Sequence, residues 1–230
     1  MISYRECGER MTVKSDNEYT LRMETEGLTL VSGELSLRGD FTKMQQRLRR
    51  GNIGQELLVK AARIKDPQAL RIAVDATAGL GDDSFLLAAA GWTVYMCEFD
   101  PVIAALLKDA LVRGAGIPEL ADTISRMHLL EGDSRELLKG LSFHPDIVLL
   151  DPMFPGRQKS GLVKKKAQLL QKLEKPCEDE EGLLQAAVSA GPRKIVIKRP
   201  LKGPFLAGRK PDYSITGKTI RYDCLVVTTA

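Results

Sequence analysis

The chain has 230 residues, of which 43% are hydrophobic and 28% are charged, and its net charge is +4. These values are typical of a globular protein, and the length allows one large domain with a smaller appendage. No apolar run approaches the roughly 20 residues of a membrane helix, and the N-terminus lacks the apolar core of a secretory signal, so we expect neither feature.

The use of cysteine and histidine argues against a metal centre or a disulfide framework. Four cysteines are scattered without a Cys-X-X-Cys pair, and His128 and His144 are the two histidines. Structural zinc sites and disulfide scaffolds use closely spaced ligands or paired cysteines. The composition therefore predicts no metal cofactor and a reducing cytoplasmic location.

The positive charge is unevenly distributed along the chain. Residues 43–65, 157–175 and 193–210 each contain seven bases, and together they contain two acids. Segregation on this scale predicts a positive face for a polyanion such as nucleic acid. For any single cluster, the alternative is the solvent-exposed side of a helix.

The first part of the chain has the pattern of a small β-rich unit. Short alternating stretches separated by glycines over the first forty residues predict two or three antiparallel strands. A basic segment follows, with apolar residues at helical spacing between Leu57 and Ile64, and an Asp-Pro pair predicts its end. We therefore assign residues 1–66 to an N-terminal subdomain and residues 67–230 to a second domain.

From residue 70 onward, strand patterns alternate with helix patterns. The predicted strands are 71–76, 92–98, 124–132, 146–151, 193–199 and 222–229. The predicted helices are 82–91, 101–114, 134–141, 162–174 and 179–190. Short β-branched strands alternating with helices predict an α/β fold, in which a mostly parallel twisted sheet has helices on both faces, as in Rossmann-like proteins.

The segment VDATAGLGDD places a glycine-rich turn between a strand that ends at Asp75 and a helix. Gly79 and Gly81 allow a ligand to approach the backbone closely. A pyrophosphate would rest on the N-terminus of the helix, where Asp82 and Asp83 would repel it. A nucleotide-like ligand with a positive centre and no phosphates fits better, and S-adenosylmethionine is such a ligand. Helix capping is the alternative role, which we expect for one of the two acids.

Two further acids end the next two strands. Glu98 is located where Rossmann-type sheets bind ribose hydroxyls, and Phe99 can lie on an adenine face. Asp133 can accept from the adenine amino group, with Ser134 capping the next helix. Ligands bind at the carboxyl ends of strands in open α/β sheets, which is where all these residues fall. An exposed strand terminus is the alternative for Glu98.

The segment LLDPMFPG ends the fourth strand at Asp151. Its Asp-Pro-Met-Phe sequence resembles the Asp/Asn-Pro-Pro-aromatic motif of methyltransferases that act on exocyclic amino groups of bases. Asp151 and the carbonyl of Pro152 would accept the N–H groups of the amine, and Phe154 would stack on a base removed from its helix. Catalysis would then consist mainly of positioning an in-line transfer. A rigid turn with buried apolar side chains is the alternative.

The segments DATAGLGDDSF, PVIAALL, LDPMFP, KSGLVKKK and VIKRP together resemble the RsmJ (YhiQ) family over about residues 45 to 230. Members of that family are bacterial enzymes that use S-adenosylmethionine to methylate the exocyclic N2 of a guanine near the 3′ end of small-subunit ribosomal RNA. The resemblance implies a class I SAM-dependent methyltransferase fold. It implies cofactor contacts at Asp82, Asp83, Glu98, Phe99, Asp133, Ser134 and Asp151, to which the glycine turn adds Asp75, Gly79 and Gly81.

The chain departs from the family pattern at three of these pairs. The family has Arg-Asp at Asp82-Asp83, Glu-Arg at Glu98-Phe99 and Ser-Ser at Asp133-Ser134.

The predicted partner is small-subunit ribosomal RNA or the 30S subunit, and bases beyond the strand ends would contact its phosphates. These bases are Lys159, Lys164, Lys165, Lys166, Lys198, Arg199 and Lys202.

Two other functions remain open from the sequence. One is SAM-dependent methylation of another RNA, or of a protein or a small molecule, and the three basic stretches argue against the last two. The other is a non-catalytic nucleic-acid-binding module on a Rossmann-like scaffold, which has no use for Glu98 or for the Asp-Pro-Met-Phe turn. A nicotinamide dehydrogenase fits least, because Asp82, Asp83 and Ser84 lie where a pyrophosphate would bind.

Overall fold

The computed structural model describes residues 19–45, 53–66, 68–152 and 177–227. Within these ranges the chain forms an antiparallel three-stranded sheet and a mixed seven-stranded sheet. None of the helices in the described ranges has the length and apolarity needed to cross a lipid bilayer.

The small sheet has the strand order β1-β2-β3. It is formed by β1 (Thr20–Glu24), β2 (Gly27–Ser32) and β3 (Leu35–Leu37), each antiparallel to its neighbour in sequence. The prediction of two or three antiparallel strands in this part of the chain is confirmed.

The large sheet has the strand order β6-β5-β4-β7-β8-β10-β9. Its strands are β4 (Ile72–Asp75), β5 (Thr93–Glu98), β6 (Met127–Glu131), β7 (Ile147–Leu150), β8 (Lys194–Pro200), β9 (Tyr213–Thr216) and β10 (Ile220–Val226). Strands β4 to β8 pair in parallel, whereas β10 is antiparallel to both β8 and β9. The predicted mostly parallel sheet is confirmed, but β9 was not predicted, because this short edge strand is largely exposed.

Helices cover both faces of this sheet, as predicted. The described helices are α1 (Leu57–Ala62), α2 (Asp82–Ala89), α3 (Pro101–Ala115), α4 (Pro118–Ile124), α5 (Ser134–Lys139) and α6 (Glu180–Ser189). Helices α1 to α4 contribute to one buried apolar cluster and α5 and α6 to another. Successive residues of one strand supply both clusters, Ala73 the first and Val74 the second, because side chains alternate between the faces of a strand.

Several boundaries differ from the sequence prediction, and two of the differences follow from packing around α3 and α4. Residue 124 was predicted to begin a strand, but it ends α4, which starts at Pro118 and buries Leu120 and Ile124. Proline is pre-organised for the first position of a helix, and these two residues four apart face the same core. Helix α3 continues past Gly114 to Ala115. Gly114 is a packing position and does not end the helix, because a Cβ there would lie 3.2 Å from the Ile124 side chain.

The N-terminal sheet shares its core with the rest of the chain. Leu30 and Leu37 lie in one buried cluster with Ile103 and Leu106 of α3. Phe41 stacks on Phe85 of α2, with ring centroids 5.2 Å apart. The boundary between residues 1–66 and 67–230 stays a prediction, and described residues on its two sides pack together.

The strand register determines which side chains meet at the carboxyl edge of the sheet. Strand β4 lies between β5 and β7, and β7 pairs with β8. Leu150 of β7 is opposite Ile197 of β8, so the following residues, Asp151 and Lys198, are neighbours at this edge. The ends of β4 and β5, Asp75 and Glu98, lie along the same edge.

Candidate active site

The turn after β4 has a backbone conformation that favours glycine. Gly79 and Gly81 have φ angles of 55° and 80°, in the left-handed region. A Cβ on Gly81 would also lie 3.0 Å from Cδ1 of Leu107. Gly81 is the N-cap residue of α2, so the prediction that Asp82 or Asp83 occupies the cap position is wrong, although acids in the first turn favour the helix dipole as expected. Both acids lie in its first turn, and Asp82 is exposed.

Asp75 fastens this turn to the sheet. Its side chain is buried, with Oδ2 accepting a hydrogen bond from Ser84 Oγ at 2.6 Å and Oδ1 accepting from the Thr77 amide at 3.2 Å. Burial raises the pKa of Asp75 to about 7, with the hydrogen bond from Ser84 opposing the shift and the charge of Asp83 adding to it. Sequence reasoning used Ser84 only as an argument against a bound pyrophosphate and missed its role as the partner of Asp75.

Glu98 is a buried acceptor at the end of β5, with 8% of the residue exposed. Its Oε2 accepts from the Gly79 amide at 2.9 Å and its Oε1 from the Asp100 amide at 2.8 Å. Burial raises the pKa of Glu98 to about 7, although these backbone hydrogen bonds oppose the shift. The alternative of an exposed strand terminus is therefore wrong. Each carboxylate oxygen has a second lone pair, which leaves acceptor capacity for ribose hydroxyls.

Asp151 lies immediately after β7, at the carboxyl edge of the sheet. The space at this edge between the ends of β4, β5, β7 and β8 and the start of α2 is called the crevice, and Asp151 lies at its mouth. Its amide donates to Thr77 Oγ1 at 2.6 Å, which ties the turn after β7 to the turn after β4. Its side chain keeps 40% of its surface exposed. Partial burial of this side chain raises the pKa of Asp151. The charge of Lys198 opposes the shift, and the charge of Asp83 adds to it. Pro152 is buried, and Phe154 lies outside the described residues.

Lys198 lies inside the crevice, between two of the acids. Its Nζ is 2.6 Å from Oδ2 of Asp83 and 2.8 Å from Oδ2 of Asp151. Burial lowers the pKa of Lys198, but the charges of Asp83 and Asp151 outweigh this effect and raise it overall. This geometry contradicts the predicted phosphate contact, because the ammonium is already held by two carboxylates. The sequence feature that could have indicated this position is that Lys198 lies near the end of β8, the strand that pairs with β7.

Arg199 is also misassigned by the sequence prediction. It is 1% exposed, and its guanidinium donates to the Pro204 carbonyl and to Glu180. A buried guanidinium cannot reach the phosphate backbone of an RNA, so the predicted phosphate contact at Arg199 is wrong. Side chains alternate along a strand, and Arg199 therefore points away from the face that Lys198 occupies.

The segment after β6 differs in detail from the prediction. Asp133, and not Ser134, is the N-cap of α5, and its Oδ1 accepts from the Arg135 amide at 2.9 Å. The guanidinium of Arg135 also pairs with this carboxylate, which lowers the pKa of Asp133. Asp133 lines a groove of about 620 Å³ together with Tyr95, Leu137 and Phe143.

The remaining predicted contacts are only partly described. Phe99 is 75% exposed beside Glu98, and its ring is accessible for stacking. Lys202 is exposed beyond the end of β8, whereas Lys159 and Lys164–Lys166 lie outside the described residues.

Two bases of the third basic stretch have structural contacts at the opposite edge of the sheet. Arg193 pairs with Asp66 and Asp146. Lys194, the first residue of β8, donates to the carbonyls of Ala61 and Arg63. The charge of this stretch is therefore partly internal, and it contributes less to a positive face than the sequence predicted.

The charge balance of the crevice fits a cationic ligand. Within the described residues, four carboxylates (Asp75, Asp83, Glu98 and Asp151) face this edge, and Lys198 places one ammonium among them. Burial is the main cause of the raised pKa values of Asp75 and Glu98, and neighbouring carboxylates add to both shifts, so added positive charge would favour the ionised forms. The sulfonium and ammonium of S-adenosylmethionine would supply it, whereas a pyrophosphate would add repulsion. No group of three or more His, Cys, Asp or Glu in the described ranges is arranged to hold a metal.

The reversed strand β10 in an otherwise parallel sheet, together with this crevice, defines a class I SAM-dependent methyltransferase fold. A family model described as a putative SAM-dependent methyltransferase matches residues 7–227. The SAM-dependent methyltransferase structure from Neisseria gonorrhoeae is 34% identical, with a TM-score of 0.76 over 94% of this chain and 86% of that one. The chain is thus an S-adenosylmethionine-dependent methyltransferase, and the cofactor prediction is confirmed.

Curated relatives define the family more narrowly. Ribosomal RNA small subunit methyltransferase J of Thioalkalivibrio sulfidiphilus is 44% identical over 186 residues, covering 80% of this chain and 72% of the relative. The protein of the same name from Pseudomonas aeruginosa is 40% identical over 224 residues, covering 94% and 85%. The chain belongs to the ribosomal RNA small subunit methyltransferase J family, which confirms the resemblance. The SAM-dependent methyltransferase model matches from residue 7, and it therefore includes N-terminal residues that the motifs did not cover.

Proposed function

We propose that this enzyme methylates the exocyclic N2 of a guanine in small-subunit (16S) ribosomal RNA in the cytoplasm. The observation that carries the proposal is the half-exposed carboxylate of Asp151 at the mouth of the acid-lined crevice, where Lys198 pairs with the carboxylate and Thr77 Oγ1 accepts from the backbone amide. The name shared by the relatives supports ribosomal RNA of the small subunit as the substrate.

The chemistry of an exocyclic amine explains why a carboxylate is needed at this position. The nitrogen is a weak nucleophile because its lone pair is delocalised into the base. By accepting an N–H group, Asp151 would orient the nitrogen and increase electron density on it. S-adenosylmethionine supplies an electrophilic methyl group, so a C–S bond breaks as the N–C bond forms. Asp151 is then placed to accept the proton that the amine must lose.

The other residues at the edge of the sheet would hold the cofactor in line with this amine. Glu98 would accept from the ribose hydroxyls, and the backbone at Gly79 and Gly81 would allow close approach. Phe99 would lie on the adenine ring, beside Asp133 and Ser134. The first turn of α2, with Asp82 and Asp83, would face the positive end of the cofactor. Pre-organised placement of two reactants supplies most of the rate enhancement in such a transfer.

Residues outside the described ranges, together with Lys202, complete the proposal. Phe154 would stack on the displaced guanine. Lys159, Lys164–Lys166 and the exposed Lys202 would contact phosphates and add affinity without sequence discrimination.

The test is methyl transfer to RNA from cells that lack this modification. The purified enzyme is incubated with methyl-labelled S-adenosylmethionine and either 30S subunits or naked 16S RNA, and the nucleosides are then identified by mass spectrometry. We expect N2-methylguanosine from one of the two substrates. Label that enters only protein or small molecules, or a different nucleoside, would contradict the proposal.

An Asp151→Asn variant tests the residue itself. Loss of the charged acceptor should lower kcat on the order of 10²-fold while the cofactor still binds. The matched control is Asp122→Asn, which removes a surface carboxylate paired with Arg126 and 84% exposed at its side chain. Equal rates for the two variants would remove Asp151 from the mechanism.

A further inference from the structure

Lys198 joins two parts of the molecule that have separate tasks. Asp83 lies in the first turn of α2, directly after the glycine turn, whereas Asp151 precedes the turn predicted to hold the target base. The Lys198 ammonium is within 2.8 Å of a carboxylate oxygen of each. Its side chain is 25% exposed, so the pair of contacts is partly shielded from solvent. Shielded ion pairs are stronger and less sensitive to salt than surface pairs.

Other charged or titratable groups also face these atoms. The charges that act on the Asp151 carboxylate are those of Asp75 on β4, Asp83 on α2 and Lys198 on β8, together with the buried Arg199 on the other face of β8. Lys198 additionally faces the buried Tyr222 on β10. The two acids repel Asp151, and Lys198 makes the direct ion pair that offsets this repulsion. Without it, the Asp83 and Asp151 carboxylates would repel one another across the crevice.

We propose that Lys198 is a positioning residue, which holds the carboxylate of Asp151 at the mouth of the crevice and couples it to Asp83 beside the cofactor turn. The part of this inference that concerns the target amine rests on the proposed function. Lys198 touches neither the base nor the transferred methyl group, and it acts through Asp151.

Substitutions at Lys198 and at Asp83 should shift the pKa of Asp151 in opposite directions. Lys198→Met removes the positive charge that stabilises the Asp151 carboxylate, so the pKa of Asp151 should rise by about one unit or more. Asp83→Asn removes a repelling negative charge and leaves Lys198 to Asp151 alone, so the pKa of Asp151 should fall. Lys198→Arg keeps the charge and should stay closer to the wild type than Lys198→Met does.

The first measurement needs no RNA. The side-chain carboxyl ¹³C shifts of aspartate-labelled protein are titrated with pH, and the signal of Asp151 is identified by its absence from Asp151→Asn. The second measurement is the pH dependence of kcat at saturating cofactor and RNA. We expect the acidic limb to move to higher pH in Lys198→Met and to lower pH in Asp83→Asn, with a loss in kcat of about 10-fold or more for Lys198→Met. Lys139→Met, which breaks an exposed pair with Glu136, is the matched control and should change neither measurement.

The outcomes separate this inference from the proposed function. If Lys198→Met leaves the Asp151 titration unchanged, or if it and Asp83→Asn shift in the same direction, the inference is overturned. If Lys198→Met does not fold, Asp83→Asn and Lys198→Arg are compared with the wild type. A pKa of Asp151 that does not fall in Asp83→Asn then overturns the inference. If the pKa of Asp151 shifts as expected in both variants but the wild-type enzyme transfers no methyl group to RNA, the proposed function is contradicted and the role of Lys198 stands.

Discussion

The hydrogen bond between Asp75 and Ser84 illustrates how single residues shape the site. The two are nine positions apart, one at the end of β4 and the other in the first turns of α2, and both are buried. A buried carboxylate without a partner is costly, so the hydroxyl of Ser84 stabilises the charged form of Asp75 and closes the glycine turn. The turn therefore depends on a side-chain contact as well as on the glycine backbone.

Replacing Ser84 by alanine should expose this dependence. We expect Ser84→Ala to lower the free energy of unfolding by about 1–3 kcal/mol, because it leaves a buried acceptor unsatisfied. The loss should be larger at pH 8 than at pH 6, since the pKa of Asp75 is about 7 and the lost bond is stronger to the charged form. Urea unfolding at both pH values measures it.

The control for that experiment removes a similar hydroxyl from the surface. Ser189→Ala deletes an exposed hydrogen bond to the Gln185 carbonyl and should change the free energy of unfolding by about 0.5 kcal/mol or less. Equal effects of the two substitutions would show that Ser84 contributes nothing special to the turn.

At the scale of elements, the small N-terminal sheet is fastened to α3. Besides the shared apolar cluster, the Leu28 amide donates to Asp109, and Arg113 links Asp109 to the Gly39 carbonyl. Helix α3 follows directly from the end of β5, where Asp100 caps it and also donates its amide to Glu98. The sheet therefore supports the helix on which the cofactor side of the crevice is built.

This packing predicts how the chain unfolds. Leu30 is fully buried in the cluster with α3, so Leu30→Ala should lower the free energy of unfolding by about 2–5 kcal/mol. We expect one cooperative calorimetric transition at a lower Tm, because the N-terminal sheet and α3 share a core. Leu70→Ala, at a position that is 77% exposed, is the control. Two separate transitions, with the larger one unchanged, would instead support an independent subdomain before residue 67.

At the scale of the whole molecule, the crevice collects acids from elements that are distant in sequence. The end of β4, the end of β5 and the residue after β7 each contribute one carboxylate, and the first turn of α2 contributes two. For Glu98, whose pKa rises from 4.5 to about 7 on folding, the folded state binds more protons than the unfolded state within this window. Its contribution to stability is therefore greatest below about pH 4.5 and declines as the pH rises to about 7.

A cationic ligand should reverse this effect. Binding of S-adenosylmethionine favours the charged forms of Glu98 and Asp75, so it should release protons near pH 7, and its affinity should increase from pH 6 to pH 8. Calorimetric titration in buffers of different ionisation enthalpy measures the number of protons released. Glu98→Gln should reduce that number. Proton uptake in the wild type would contradict this account of the crevice.

Much of the fold was predictable because the signals for it are local. Periodicity distinguishes strands from helices, and prolines and glycines indicate where they begin and end. The predicted parallel sheet, the glycine turn, and the acids at the ends of β4, β5, β6 and β7 all follow from such signals. The missed elements, α4 and β9, are short, and the burial of α4 depends on packing against distant residues.

The roles of individual side chains were decided by the tertiary structure. Lys198 and Arg199 are adjacent in the sequence and were given the same predicted role, yet one lies in the crevice and the other is buried beside Glu180. Alternation along β8 separates them, and the pairing of β8 with β7 brings Lys198 to Asp151. The sequence by itself determined the alternation of strands and helices and predicted, to within a residue or two, the acids at the strand ends and a cationic nucleotide-like ligand beside them. Only the tertiary structure decided which charges meet there, because an ion pair between residues 115 positions apart depends on strand order and register, which no local pattern encodes.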